Sequence, residues 1–516
     1  MKTAPTFLAK NRAWIGWGLL AMSLLLGLLT LYWGEFVDEA DNLVVGSLLL
    51  QGRVLYRDVF SHHFPFAYYW MAGVVALAGK SIFAARFSVL LFQVASFALL
   101  MRLTQKHLLL GLTALMWSIA RPFYLGHMVL YPSFGGVALL AVFLVSFFIL
   151  EGTLLPTWQH WLTIGAYSLI AFLSNPLSAY AIGITLIFLF VRKPAWGLKA
   201  GSVIGAGLAL SFGALVVSDS LQAFWQDVVV FNSQVYNKYT DAHPFRVFDL
   251  FTYGLTGLGL PYGHWFDFNP FKPIQDIIYA QIDAWFFTGF LYRLGVMFAA
   301  LLLLLQRKFS AGIYLYAFAT AVVAIAKVTF HAQPFTLVAL TTLSALAINE
   351  FPLPISKPVP AALVRAARVL MILMTLWLGI RLSQQIILER QNLAYDKNFA
   401  AYEKQAANLQ KLSCSNPDVR LAFYPAGVYQ YWFSGLQPAS KYIFMWPWVA
   451  EVGQDEMIRE LQGQEFVIVV VRENLVWESY NSLDYLRPLI DYLEANYRKV
   501  SKEIYVSPAL FETCPQ

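Results

Sequence analysis

Apolar stretches of roughly membrane length alternate with short charged clusters along residues 1–387, and this alternation organises the whole chain. A helix needs about 20 predominantly apolar residues to cross a bilayer. The first such run, about 14–33, follows Lys2, Lys10 and Arg12, which by the positive-inside tendency predicts a cytoplasmic N-terminus. The next apolar run, about 64–79, is short for a span and opens at His62-His63 and Pro65. If it crossed, Arg102 and Lys106 would fall outside. It is therefore expected as a surface-lying helix within one large external loop, 34–82. Further spans are expected at about 83–101, 107–124, 127–150, 160–174, 176–191 and 198–217. A second external loop, 218–284, follows, and then spans at about 285–305, 311–326, 333–349 and 369–386. The count is about eleven, with most basic clusters on one side and the C-terminus outside.

From 388 the pattern becomes that of a soluble domain. A polar helix (388–412) leads into VRLAFY, and EFVIVVV (465–471) is a continuous β-branched run of the kind buried inside a sheet. Helical segments at about 450–463 and 483–497 and a closing EIYVS complete an alternating α/β pattern. The fold class expected is thus a polytopic α-helical membrane protein, 1–387, with a C-terminal extracytoplasmic α/β domain, 388–516. The chain's two cysteines, Cys414 and Cys514, bracket that domain. On an oxidising face they are expected to form a disulfide; two free thiols are the alternative.

Composition agrees with the membrane reading. The chain is 59% hydrophobic and 13% charged, with a mean hydropathy of +0.57, whereas soluble domains carry about 25% charged residues. A net charge of +6 spread over short clusters does not make a nucleic-acid patch and reads instead as a set of topology determinants. The first apolar run is too long for a signal peptide and lacks an A-x-A site, so it reads as a retained span. No internal repeat or low-complexity segment is evident.

Candidate chemistry gathers in the first external loop. Asp38, Glu39 and Asp41 open DEADNLVVGSLLLQG, whose pattern suits an interfacial amphipathic helix. A carboxylate there titrates upward by desolvation and suits a general base; the alternative is acids that merely favour a helix N-terminus. Arg57, Asp58, His62 and His63 cluster in GRVLYRDVFSHHFPF; a metal site beside the paired histidines is one reading, but adjacent histidines lack zinc-ligand spacing, and no cofactor is expected. Arg86 falls at the outer end of the second span, where a guanidinium suits a phosphate or else snorkels. Lys327 and His331, and at an earlier turn Arg121 and His127, are cations on the outer side, against the prevailing charge bias.

Taken together, DEADNLVVGSLLLQGRVLYRDVFSHHFPFAYYWMAGVVALAGKSIFAAR resembles the first external loop of the GT-C-fold membrane glycosyltransferases, the superfamily of protein O-mannosyltransferases and of the aminoarabinose and galacturonic acid transferases. The shared features are the acidic pair Asp38-Glu39, Gly52 to Tyr56 to Asp58, His63-Phe64-Pro65 (with Phe64 where a proline is usual) and Gly79 to Arg86. KVTFHAQPF (327–335) and VYQYWFSGLQPASKYIFMWPW (428–448) extend the likeness. The resemblance implies inverting transfer of a sugar from a polyprenyl-phosphate donor to a lipid, glycan or protein acceptor, on the outer face of a bacterial plasma membrane. It implies Asp38 as base, with Glu39 its neighbour and Asp58 a second acidic candidate. Arg86, Lys327, His331 and Arg57 are the implied lipid-phosphate ligands. The rival class is a transporter or flippase of lipid-linked glycans, disfavoured because the charges gather at span ends and in loops rather than at mid-span.

Overall fold

The structure, a computed structural model, describes residues 7–239, 284–323, 333–348, 350, 361–472, 474–477 and 479–514. In chain order the main helices before the sheet are α1 (Phe7–Leu29), α2 (Val37–Leu50), α3 (Phe66–Ala78), α4 (Ile82–Thr104), α5 (His107–Ala120), α6 (Tyr131–Glu151), α7 (Trp158–Ser174), α8 (Ala179–Arg192) and α9 (Pro194–Val217). After a stretch of helical and π-type turns through Tyr239 come α10 (Ala284–Leu305), α11 (Phe309–Val323), α12 (Gln333–Ala347), α13 (Ala361–Leu388) and α14 (Tyr395–Leu412). Each apolar run expected as a span coincides with a helix. Among the described residues, four helices are long and apolar enough to cross a membrane: Asn11–Leu29, Ile82–Thr104, Tyr131–Glu151 and Pro194–Val217. The short run expected to lie on the surface is α3, whose 13 residues rise only about 20 Å, less than a bilayer core.

The chain divides into two compact units. The first comprises the described residues within Met1–Leu31, Arg86–Ser211 and His243–Arg390. Its centre is α6, buried from Tyr131 through Leu150, with α7, α8, α11 and α12 packed around it. Apolar side chains left exposed on the outer helices, such as Leu25, Leu29, Ile187 and Leu210, suit contact with lipid rather than water. Helices α1 and α5 meet at Gly16 and Gly111, where a Cβ on Gly111 would lie 2.6 Å from the Gly16 carbonyl oxygen. Only glycine permits that approach, the device by which helices associate where no hydrophobic drive exists.

Charge is placed at the ends of this unit. Glu350 receives both Arg12 (3.6 Å) and Lys106 (2.7 Å), and Lys308 pairs with Glu151 at 2.5 Å. At the far end of α1, the unsatisfied C-terminal carbonyls receive buried guanidiniums. Arg86 Nη1 donates to Leu31 O at 2.8 Å, and Arg121 Nη2 donates to Gly27 O at 2.5 Å. A cation at a helix C-terminus interacts favourably with the helix dipole.

The second unit comprises the described residues within Tyr32–Ala85, Phe212–Ala242 and Gln391–Gln516. Beyond α14 it continues with β1 (Arg420–Tyr424), α15 (Val428–Ser434), β2 (Gln437–Pro438), α16 (Pro447–Gln462), β3 (Val467–Val471), the β4–β5 ribbon (Val476–Trp477, Tyr480–Asn481), α17 (Arg487–Asn496), β6 (Arg498–Lys499), β7 (Ile504–Val506) and α18 (Pro508–Thr513). The five-stranded sheet has the order β2-β1-β3-β7-β6. β1 runs parallel to β2 and β3, while β7 is antiparallel to both β3 and β6. β3 is buried at all five positions, as its valine-rich run requires in a sheet covered on both faces. The α/β reading of the C-terminal region holds. Helices α2 and α3 pack against each other in the same unit, at Gly46, where a Cβ would meet Met71 Cβ at 2.6 Å. Helix α15 packs on α2 as well.

Cys414 and Cys514 are joined as a disulfide, with Cα atoms 6.2 Å apart and a sequence separation of 100. Closing a loop of that length removes chain entropy from the unfolded state, in the range of about 2–5 kcal/mol. Cys514→Ser is accordingly expected to lower the thermal midpoint of the protein in a non-reducing scan. Adding reductant should then lower the parent's midpoint and leave the variant's unchanged.

Candidate active site

The acids of the first loop sit in the opening turn of α2. Phe36 precedes the helix in an extended conformation and offers no side-chain cap, so the negative charges of Asp38 and Glu39 face the helix's own free N–H groups. Asn42, one turn on, donates its side-chain amide to Asp38 O at 2.8 Å and fixes the start of the helix. The Asp38 carboxylate itself is half-buried and makes no hydrogen bond or ion pair among the described residues. Loss of hydration pushes its pKa from 3.8 up to about 7.

Glu39 is fully buried and accepts a hydrogen bond from Tyr429 Oη of α15 at 3.0 Å. Asp41, one helical turn from Asp38, is also buried, and its Oδ2 accepts from Tyr68 Oη of α3 at 2.5 Å. Its Oδ1 has no partner. Desolvation lifts Asp41 to about 7 as well, opposed by the Tyr68 hydroxyl and reinforced by the charge of Asp38. Tyr68 Oη also contacts Ser61 Oγ at 2.6 Å, and Ser61 Oγ accepts from His63 N at 3.1 Å. The α2 acids are thus tied to the turn that follows. Sequence reasoning named Asp41 but gave it no role; its spacing of three from Asp38 on a helix was the available signal.

That turn accounts for Asp58. Tyr56 adopts a left-handed conformation (φ 70°) and its amide donates to Val59 O. Asp58 Oδ2 accepts from Val54 N at 2.8 Å, and Arg57 donates to both Asp58 oxygens at 2.9 and 3.1 Å. The Arg57 guanidinium first, and then the Val54 amide, hold Asp58 below the usual carboxylate range. Asp58 is committed to closing the turn, and Arg57 is exposed beside it.

His62 and His63 lie with ring centroids 4.0 Å apart among Phe60, Phe231, Tyr236 and Phe444. Burial holds His62 well below its ordinary pKa and His63 down to about 4, so both imidazoles are neutral. Among the described residues no group of three or more His, Cys, Asp or Glu side chains is placed to hold a metal ion. The structure adds an acid that sequence reasoning passed over. Asp227, lone in the apolar run WQDVVVF, has a buried oxygen without a partner and a pKa raised to about 7 by desolvation.

Arg86 belongs to the helical unit, fully buried, with its guanidinium on the Leu31 carbonyl. Lys327 and His331 lie outside the described residues, as does 240–283 of the second external loop.

Two raised acids make stability depend on pH. Folded, Asp38 and Asp41 titrate near 7, against 3.8 when exposed, so between about pH 4 and 7 the folded state holds more protons. Stability therefore falls as pH rises through that window and levels off above it. Asp41→Asn keeps an acceptor for Tyr68 and removes one of the two charges. Its thermal midpoint should equal the parent's near pH 4, exceed it above pH 7, and vary less between. Identical slopes in the two proteins would contradict the burial argument.

No protein-family model matches the chain, and no curated protein does. Solved structures do. ArnT from Cupriavidus metallidurans, in the apo state, aligns with a TM-score of 0.50 and 13% identity over 95% of this chain and 97% of its own. The same protein bound to undecaprenyl phosphate aligns at 0.50 and 12%, over 96% and 99%. The archaeal oligosaccharyltransferase AglB from Archaeoglobus fulgidus, in complex with an inhibitory peptide and a dolichol-phosphate, aligns at 0.50 and 12%, over 90% of this chain and 70% of its own. Both are GT-C membrane glycosyltransferases, and this chain shares their fold from near one end to the other.

Proposed function

We infer that the protein is a glycosyltransferase that moves a sugar from a polyprenyl-phosphate donor to an acceptor on the extracytoplasmic face, with inversion and with Asp38 as base. The observation that carries this reading is the place of Asp38: a half-buried carboxylate that meets no donor among the described residues, at the start of a loop helix in a chain of GT-C fold, where desolvation raises its pKa to about 7. A base whose pKa matches the working pH combines availability with driving force. Asp38 takes the proton of an acceptor hydroxyl or amine. The freed electron pair attacks the anomeric carbon from the face opposite the phosphate, and the phosphate leaves with the electrons of the broken C–O bond. Glu39, oriented by Tyr429, and Asp41, oriented by Tyr68, keep the helix start in place and the local charge negative.

For the leaving phosphate we assign Arg86 with Lys327 and His331, following the motif resemblance. Arg86 is a fixed, poorly hydrated cation, the form in which charge stabilises a leaving group most. Arg57, bound to Asp58 in an exposed turn, is better accounted for elsewhere. The complexes of ArnT with undecaprenyl phosphate and of AglB with a dolichol-phosphate support the donor class. We also assign 1–387 as the membrane part with about eleven spans and 388–516 as the extracytoplasmic domain of a bacterial plasma-membrane protein. The meeting of Arg12 and Lys106 on Glu350 supports a common, cytoplasmic side for those two basic clusters.

Purified Asp38→Asn protein should lose about 10²- to 10⁴-fold in transfer from polyprenyl-phosphate sugars, with insertion and folding intact. The parent's kcat/KM should rise with pH through about 7 and then flatten, because the deprotonated carboxylate is the active form. Near-normal transfer by Asp38→Asn would remove Asp38 from the mechanism.

A further inference from the structure

A polar cavity lies in the second unit, away from Asp38. It has a volume of about 310 Å³ and is lined by residues of the 53–59 turn, by the start of β1 and by the segment after β2. Leu48 of α2 reaches it, ten residues beyond Asp38 and so about 15 Å along the helix axis. The hydrogen bond from Phe60 N to Lys441 O, 3.0 Å, joins the two walls.

The charge lining it is unbalanced. Arg53, Arg57, Arg420 and Lys441 face Asp58 and Glu460. Both carboxylates are already engaged. Asp58 holds Arg57 and the Val54 amide, while Glu460 accepts from Ser440 Oγ at 2.5 Å and from Lys441 N at 3.2 Å. Lys441 Nζ pairs with Glu456 at 2.9 Å, outside the lining. Arg53 and Arg420 make no ion pair within 4 Å among the described residues, although Arg53 contributes at longer range to lowering Asp58. Two guanidiniums therefore line one cavity with no carboxylate bound to them. Like charges gathered in a concave site repel unless an anion joins them.

We propose that this cavity binds a phosphoryl group carried by a small polar molecule or headgroup, held by the guanidiniums of Arg53 and Arg420 with Lys441 beside them. A phosphate monoester carries a charge of about −1.5 to −2 and three acceptor oxygens, which suits two guanidiniums that share a cavity and their forked geometry. The cavity's volume falls within the range of small-molecule sites, so it holds more than the phosphoryl group alone. The site shares neither Asp38 nor Arg86, and it stands independently of the transfer reaction inferred above.

Titration calorimetry of the full-length protein in detergent at low ionic strength, with inorganic phosphate as the probe, tests this. Phosphate is expected to bind the parent, and the double variant Arg53→Ala, Arg420→Ala to weaken binding at least tenfold. Arg420→Lys, which keeps the charge and loses the fork, should fall between. The double variant's thermal midpoint without phosphate should match the parent's, which separates lost binding from lost folding. Two arms identify the source of the group. Competition by sn-glycerol 3-phosphate, with equal phosphate affinity in neutral and anionic nanodiscs, assigns a soluble or glycan-borne monoester. Phosphate binding suppressed in phosphatidylglycerol nanodiscs, and retained in phosphatidylcholine ones, assigns a lipid headgroup. No heat of phosphate binding to the parent, an unchanged affinity in the double variant, or equal competition by chloride would each overturn the proposal.

Discussion

Keeping negative charge out of water at the start of α2 is the constraint on which the mixed unit depends. Asp38 and Asp41 stand one helical turn apart, and among the described residues no lysine or arginine pairs with either. A cation there would depress both acids and make them inert. Instead the compensation comes from weaker groups: the free amides of the first helical turn, and for Asp41 the hydroxyl of Tyr68. This arrangement needs α3 and α15 close against α2, and Gly46 is what lets α3 approach. Packing and acidity are thus set by the same contacts.

The helical unit solves the opposite problem. Buried cations there are tied to backbone carbonyls. Arg121 addresses the last turn of α1 and Arg86 the residue two beyond its end, and Gln93 accepts from Arg121 Nη1 at 3.3 Å. Carbonyl oxygens left over at a helix end carry partial negative charge, and guanidinium satisfies several of them without introducing a formal anion. Arg121, expected from the sequence to be a cation out of place by the charge bias of the loops, thereby acquires a structural partner.

Much of this was legible in the chain because it is encoded locally. The apolar runs became helices, the run after His62-His63 was too short to cross a bilayer, and the valine run 467–471 lies at the centre of the sheet. The acids of α2 were visible as a cluster, and their desolvation followed from placement beside an apolar helix. What the sequence withheld was pairing at a distance. Nothing local joins Asp41 to Tyr68, 27 residues on, or exposes the commitment of Asp58 to its own turn, which depends on the left-handed Tyr56. Asp227 was overlooked because a single acid in an apolar run carries no spacing pattern. The cavity at Arg53 and Arg420 unites residues hundreds of positions apart, and only the fold reveals it.

The bond between Tyr429 and Glu39 spans 390 residues of chain. During synthesis α2 is made early, whereas α15, which covers it, emerges only after every helix of the first unit has been made. Until then Glu39 lacks the Tyr429 hydroxyl and α2 lacks the packing of α15. The surroundings of the α2 acids are therefore complete only once the C-terminal region has been made, and a chain halted before it would carry these carboxylates without α15 packed against them.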